Sequence, residues 1–285
     1  MFSSPRPIFF STELETPPIK ELAIPREAAL RLFFKLREKP SGCRYENIET
    51  QATNPTLSTR RGEDGRSTCQ IGRHMVRIEE LHPEMPADEF VNVAKTVLQT
   101  LGDDCKPFFV QRCKIQCLAQ PNVLPSPLGI LATRVGNVGP GERIAPFGRP
   151  PTFFGVRFRF DPWSPDEEPD SDATENETTD HDVSEIAEDD PPGAGEAEDA
   201  DDEDAIQQVT EGRGFLTVRF EPYTEDPRQM WVEVAANYIA PEPIIITDLS
   251  IMERNILETC RFATDNCKRF LDQFDPQADS PGGQP

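Results

Sequence analysis

Histidine is scarce in this chain, and so is nearly everything else that announces a chemistry. Three histidines stand among 285 residues, with two tryptophans and three tyrosines. His181 lies inside an acidic run, which leaves His74 and His82 as the only bases for a cysteine or serine nucleophile. There is no Gly-x-Ser-x-Gly elbow, no Walker phosphate loop and no dinucleotide fingerprint. The glycine-rich stretch "RVGNVGPGER" (134–143) lacks the Lys-Ser/Thr pair that would grip a phosphate, and it reads as a surface loop. No apolar run approaches the roughly 18–20 residues that would span a bilayer. The opening residues hold no apolar signal core, with an acid already at Glu13, so no membrane partner is expected.

Cysteine is present but in a pattern that excludes its commonest uses. The seven cysteines (43, 69, 105, 113, 117, 260 and 267) cannot all pair within one chain, and none forms a Cys-x-x-Cys knuckle. Cys113 and Cys117 fall on one apolar strand face, and Cys260 and Cys267 on one apolar helix stripe. These are the positions of buried core thiols. Reduced thiols place the chain in the cytoplasm, and neither a metal nor another cofactor is expected. A Cys-dependent enzyme, with Cys69 or Cys113 near His74, stands as the alternative reading.

The charge is abundant and lopsided. The formal net charge is −22, yet 22 of the 51 acidic residues lie between Asp161 and Gly212, where there is no Lys or Arg. The remainder holds 29 acids against 29 bases and is formally neutral, so the overall pI says nothing about a partner of the folded part. The acidic run itself is rich in Asp, Glu, Ala, Ser, Thr, Pro and Gly. Such a composition cannot bury enough apolar surface to offset chain entropy, and disorder is expected over 161–212. A basic protein is one partner that this run could attract.

Periodicity supplies the elements. Residues 1–24 are punctuated by proline and read as an extended segment. A helix begins at Pro25, with Leu30, Phe33, Phe34 and Arg37 as its stripe, and ends near Pro40. Residues 50–66 read as loop. "STCQIGRHMVRIEEL" reads as one strand with Val76 and Ile78 on its apolar face, and "ADEFVNVAKTVLQTLG" as a helix with Phe90, Ala94, Val97 and Leu101 in its stripe. "PFFVQRCKIQCLAQ" is a strand with Cys113, Ile115 and Cys117 on one side and Arg112 and Lys114 on the other. Residues 121–151 form a long connection. Strands come next at "FFGVRFRF", "GFLTVRFEPY" and "QMWVEVAANYI", with the acidic run between the first two. A last helix over about 248–274 carries Leu249, Met252, Ile256, Cys260, Ala263, Cys267, Phe270 and Phe274, and Ser250 with Glu253 fits a capping box.

The expected fold class is therefore α+β: a mostly antiparallel sheet or sheets, three amphipathic helices, and a long disordered acidic loop inserted in a strand meander. Its parts are the segment 1–24, a first portion 25–160, the insertion 161–212, a second portion 213–275 and a tail 276–285. On the strands flanking the insertion, Arg157, Arg159 and Arg219 share the polar side, and Arg112 and Lys114 can join them. Those five form a candidate anion-binding face, for nucleic acid or an acidic protein segment. The acidic loop leaves the chain right after Arg159, so it is placed to mask that face from a high effective concentration. The expected function is a non-catalytic binding or regulatory protein.

The start "PPIKEL" (17–22), the central strand–helix–strand, the Arg-led strand "RCKIQC" (112–117) and the late helix resemble a sporadically distributed family of uncharacterised bacterial proteins. The resemblance lies in the order of elements and implies no activity and no site residue.

Overall fold

The computed structural model describes residues 2–16, 25–38, 45–83, 85–102, 107–121, 126–136, 153–160 and 214–274. The acidic run and the tail lie outside them. Nine strands form one antiparallel sheet: β1 (Arg6–Glu15), β2 (Asn47–Glu49), β3 (Thr56–Arg61), β4 (Gly65–Ile71), β5 (Met75–Leu81), β6 (Phe108–Ala119), β7 (Val156–Phe160), β8 (Phe215–Pro222) and β9 (Met230–Ile244). Their order across the sheet is β2-β3-β4-β5-β1-β6-β9-β8-β7. The helices are α1 (Pro25–Glu38), α2 (Ala87–Leu101), α3 (Pro127–Gly129), α4 (Ser250–Arg261) and α5 (Cys267–Asp272). α3 runs on into a π-helical turn, Ile130–Val135, and a second π-helical turn, Phe262–Asn266, joins α4 to α5. Among the described residues there are thus four helical bodies, one more than the three read from the sequence. The fourth, around Pro127, lies in what reads as connection. It starts with a short capped turn, in which the Gly129 N–H donates to Ser126 Oγ at 3.3 Å.

The order of elements repeats. Setting aside the three-residue β2, β1-α1-β3-β4-β5-α2 has the same plan as β6-α3-β7-β8-β9-α4, and the sheet order β3-β4-β5-β1 mirrors β7-β8-β9-β6. Two β-α-β-β-β-α units therefore meet through their first strands. β1 pairs with β6 antiparallel from Arg6–Leu118 to Glu15–Val110, with one bulge at Ile8. Such a pairing relates the units by an approximate twofold axis normal to the sheet.

One sheet face is covered by helices, with α2 between α1 and α4. Alternation aims Phe10 and Leu14 of β1, Val76 and Ile78 of β5, Cys113, Ile115 and Cys117 of β6, and Val232 and Val234 of β9 into that layer, and all are buried. Phe10 stacks on Phe90 of α2, ring centroids 5.3 Å apart. Burying each such side chain contributes roughly 1.5–3 kcal/mol, so this layer holds the sheet to the helices. α2 buries Phe90, Ala94, Val97 and Leu101 as its stripe requires. In α1 the buried residues are Ala28, Ala29, Leu32, Phe33 and Leu36, while Phe34 is 58% exposed. The helix is turned from the expected stripe, because two alanines let its backbone approach the sheet.

Other expectations are also corrected. "STCQIGRHMVRIEEL" is not one strand: Gly72 to His74 turn the chain, and β4 and β5 form a hairpin. Residues 56–61, read as loop, are β3, with Leu57 and Thr59 buried. Gly62, at φ +65°, opens the β3–β4 turn, a conformation that favours glycine. Ser250 is not the cap of α4; its N–H donates to Asp248 Oδ1 at 3.0 Å, so the aspartate satisfies the helix start.

Where α4 crosses β6, the layer becomes polar. Gln111 Nε2 donates to Thr12 Oγ1 at 3.1 Å, to Cys113 Sγ at 3.3 Å and to the Met252 carbonyl at 3.2 Å. Asn255 Nδ2 donates to Gln111 Oε1 at 2.9 Å. All four side chains are buried, so each partner lost leaves a polar atom dry. Gln111→Ala is expected to lower the unfolding free energy by about 1–3 kcal/mol. Gln116→Ala, on the opposite face of the same strand, is expected to change it by about 0.5 kcal/mol or less. Urea unfolding of the two variants side by side checks both.

Candidate functional site: the open sheet face

The other face carries no helix among the described residues. All five cations singled out from the sequence are on it and exposed: Arg112 and Lys114 on β6, Arg157 and Arg159 on the edge strand β7, and Arg219 on β8. The register sets them in rows. One row runs Arg157–Arg219–Glu233–Gln116–Phe9–Leu81–Arg66–Arg60. The next runs Arg159–Thr217–Ala235–Lys114–Ser11–Glu79–Thr68. A third joins Phe215–Asn237–Arg112–Glu13–Arg77–Gln70.

The cations do not all stand ready for a ligand. Arg112 Nη1 donates to Glu13 Oε1 at 2.7 Å and also bonds Glu15, and Arg77 bonds Glu13 from the other side. Lys114 Nζ is 3.9 Å from Glu233, which also accepts from Gln116 Nε2 at 2.8 Å. Arg219 Nε is 2.5 Å from Glu221 Oε1, and its guanidinium lies 5.5 Å from the Trp231 ring centroid. Arg159 sits 4.6 Å over the Phe215 ring. Neither Arg157 nor Arg159 has a carboxylate partner among the described residues. Arg157 faces Arg219 directly across the strand pair, an arrangement of like charges that costs stability.

Carboxylates gather at the middle of the sheet, where Glu13 and Glu15 take Arg77 and Arg112 and Glu233 lies near Lys114. Toward both ends of the sheet cations outnumber their partners: Arg60 faces Arg66 in the first unit, and Arg157 faces Arg219 in the second, where Glu221 bonds Arg219. The second of these places adjoins the point where residues 161–212 are inserted.

Between the units the face dips into a hollow of about 280 Å³, whose lining includes Phe9, Phe215 and Ala235. Small-molecule sites occupy about 300–1,000 Å³ and are largely apolar. This hollow is smaller, and the Arg112–Glu13–Arg77 bridge already crosses it. Its size suits one or two side chains of a docked chain better than an enclosed substrate.

Two buried carboxylates flank the β1–β5 seam and titrate in opposite directions. Burial pushes the Glu13 carboxyl up, but the hydrogen bonds and charges of Arg112 and Arg77 outweigh it and hold it below the ordinary range. Glu80, on the helix side, is fully buried; burial pushes it up, and the 2.6 Å bond from Ser67 Oγ and the charge of Arg61 offset that only in part.

Among the described residues the thiols are not placed as activated nucleophiles. Cys69, Cys113, Cys117 and Cys267 are buried and Cys260 is half-buried, all as free thiols. Burial pushes Cys113 and Cys267 up to about 12 and Cys260 up to about 11, and raises Cys117 as well. That is the opposite of what a thiolate nucleophile needs. Cys43 and Cys105 lie outside the described residues. His74 is in the β4–β5 turn rather than mid-strand, and His82 just past β5 is exposed at φ +46°. Among the described residues no three His, Cys, Asp or Glu side chains gather to hold a metal, and no helix is long and apolar enough to cross a membrane.

The carboxylates that neutralise Arg77 and Arg112 are not evident in the sequence while residues 1–24 read as an extended segment, because both Glu13 and Glu15 lie on β1. "RPIFFSTELE" does alternate, with Phe10, Thr12 and Leu14 against Phe9, Ser11, Glu13 and Glu15, and that signal would have placed Glu13 opposite the β6 cations. No family model matches the chain, and no curated protein matches it either.

The two carboxylates make a paired test. Glu13, held low, contributes stability above its unfolded value of about 4.3 and loses it as pH falls through the folded value. Glu80, held high, stabilises the fold while protonated, and this is lost as pH rises from about 4.3 through its folded value. Glu13→Gln is therefore expected to be less stable than the parent at neutral pH and to converge with it in acid. Glu80→Gln is expected to be as stable as the parent in acid and more stable at neutral pH. Denaturant unfolding from pH 3 to 8 reads both differences.

Proposed function

We propose that this chain is a non-catalytic binding or regulatory protein of the cytoplasm, whose Arg-bearing sheet face takes an acidic segment of a partner protein, and whose own acidic insertion competes for that face. The observation that carries the reading is the Arg157–Arg219 pair: two cations held opposite each other, beside a third arginine, with one carboxylate between them. A bound carboxylate relieves that repulsion, and an exposed ion pair of this kind is worth about 0.2–1 kcal/mol. Free thiols in the described core fit a reducing compartment.

Nucleic acid is the weaker match. Glu221 and Glu233 interrupt the cations, so a continuous phosphate backbone would meet repulsion along the rows. Phe158 and Phe160 point to the helix side, and Phe215 and Trp231 on the open side are already covered by Arg159 and Arg219. The insertion joins β7 at Phe160 to β8 at Phe215, and Phe160 pairs with Leu216. Both of its ends therefore lie at the basic edge, and tethering gives it an effective concentration on the order of mM.

The test uses the full chain with every Asp and Glu of 161–212 changed to Asn and Gln. At low salt it is expected to bind a glutamate-rich peptide about threefold to tenfold more tightly than the parent, and a single-stranded oligonucleotide less well than the peptide. High salt is expected to remove the difference. If the neutralised chain gains no salt-dependent binding, the reading fails.

A further inference from the structure

The edge strand β7 offers more than charge. It is the last strand of the sheet, paired with β8 alone, so its other side has no strand partner among the described residues. Unused edges of this kind are templates for another strand, and proteins usually blunt them. Here the two faces beside the edge differ sharply. Arg157 and Arg159 stand exposed on the open side. On the helix side Phe158 is 5.5 Å from Phe270 and 6.3 Å from Phe220, within a cluster of phenylalanines. Phe160 closes the rim of that cluster, 5.9 Å from Phe262, and is still 45% exposed.

We infer that β7 accepts an extended segment of a partner protein as a tenth strand, one in which acidic residues alternate with apolar ones. Side chains of an added strand alternate between faces. The acidic set then meets Arg157 and Arg159, the apolar set covers Phe158 and Phe160, and the main chain completes the ladder. A second copy of this chain is the wrong occupant. Any β7–β7 register that keeps the phenylalanines on the clustered face puts arginine opposite arginine. The inference rests on the proposed role of the arginine face and adds to it a binding mode and a sequence pattern.

Four short peptides titrated into the full-length protein decide it. The first alternates Glu with Val. The second is the same peptide N-methylated at every second residue, so that it keeps every side chain but cannot donate to the edge. The third has the same composition in blocks, and the fourth alternates Lys with Val. The first is expected to bind and to slow amide exchange in residues 156–160, and both the methylated and the blocked peptides are expected to bind about tenfold more weakly, the worth of one or two lost hydrogen bonds or misplaced ion pairs. In the double variant R157E/R159E the preference is expected to switch to the Lys–Val peptide. Equal binding of the methylated peptide overturns strand addition while leaving the arginine face as an acid-binding surface. Binding by neither the parent nor the methylated peptide overturns both.

Discussion

The pairing of β1 with β6 is the contact on which the rest of the molecule depends. It joins two β-α-β-β-β-α units edge to edge, so that neither leaves its first strand as a free edge. It also sets Phe10 beside Ile115 on the helix side and Ser11 beside Lys114 on the open side. Every cross-strand row of the open face passes through this seam, because the register of β5 on β1 and of β9 on β6 is counted from it. A slip of β1 by one residue would turn Phe10 and Leu14 outward and bring Glu13 and Glu15 into the apolar layer. The cost of burying those charges fixes the register as firmly as the packing does.

The same seam decides where unmatched charge can sit. Near it, cations and carboxylates are matched, since Glu13 is shielded and must be compensated by Arg77 and Arg112. Away from it, at β7, side chains are exposed and an unmatched arginine costs little. An excess of one sign can therefore accumulate only at the rim.

Much of this is legible from alternation alone. The helix-side residues of β5, β6, β8 and β9 and the stripe of α2 come directly from the order of apolar and polar residues, as do the five cations of the open face. The elements that alternation hides have physical reasons for being hidden. Prolines at 5 and 7 hide β1, yet Pro7 sits next to the bulge at Ile8, where a missing N–H costs no regular ladder bond. β3 is hidden by its Thr and Arg content, because half of an edge-side strand faces solvent and needs no apolar residue. The ion pairs of Arg112 join residues 97 and 99 positions apart in the chain, and only the assembled sheet brings them together. The twofold plan is equally silent, since the strands it relates, such as β3 and β7, share no residue pattern and lead into connections of very different length.

That difference in length locates the acidic insertion in the architecture. In the first unit the hairpin β3–β4 turns in the three residues between Arg61 and Gly65; in the second, the corresponding hairpin β7–β8 spans the 54 residues between Phe160 and Phe215. Closing the longer loop costs about 2–3 kcal/mol more, because the penalty grows only with the logarithm of length. β7 recovers such a sum through Phe158 alone, whose ring is held against both Phe220 and Phe270. The same insertion in a turn next to the β1–β6 seam would have to keep 22 acids clear of the central strands and of Glu13, whose charge is already shielded from water. The outer hairpin is the place where length is cheap, where the aromatic cluster holds the strand regardless, and where unmatched arginines stand on the strand that leads into the insertion.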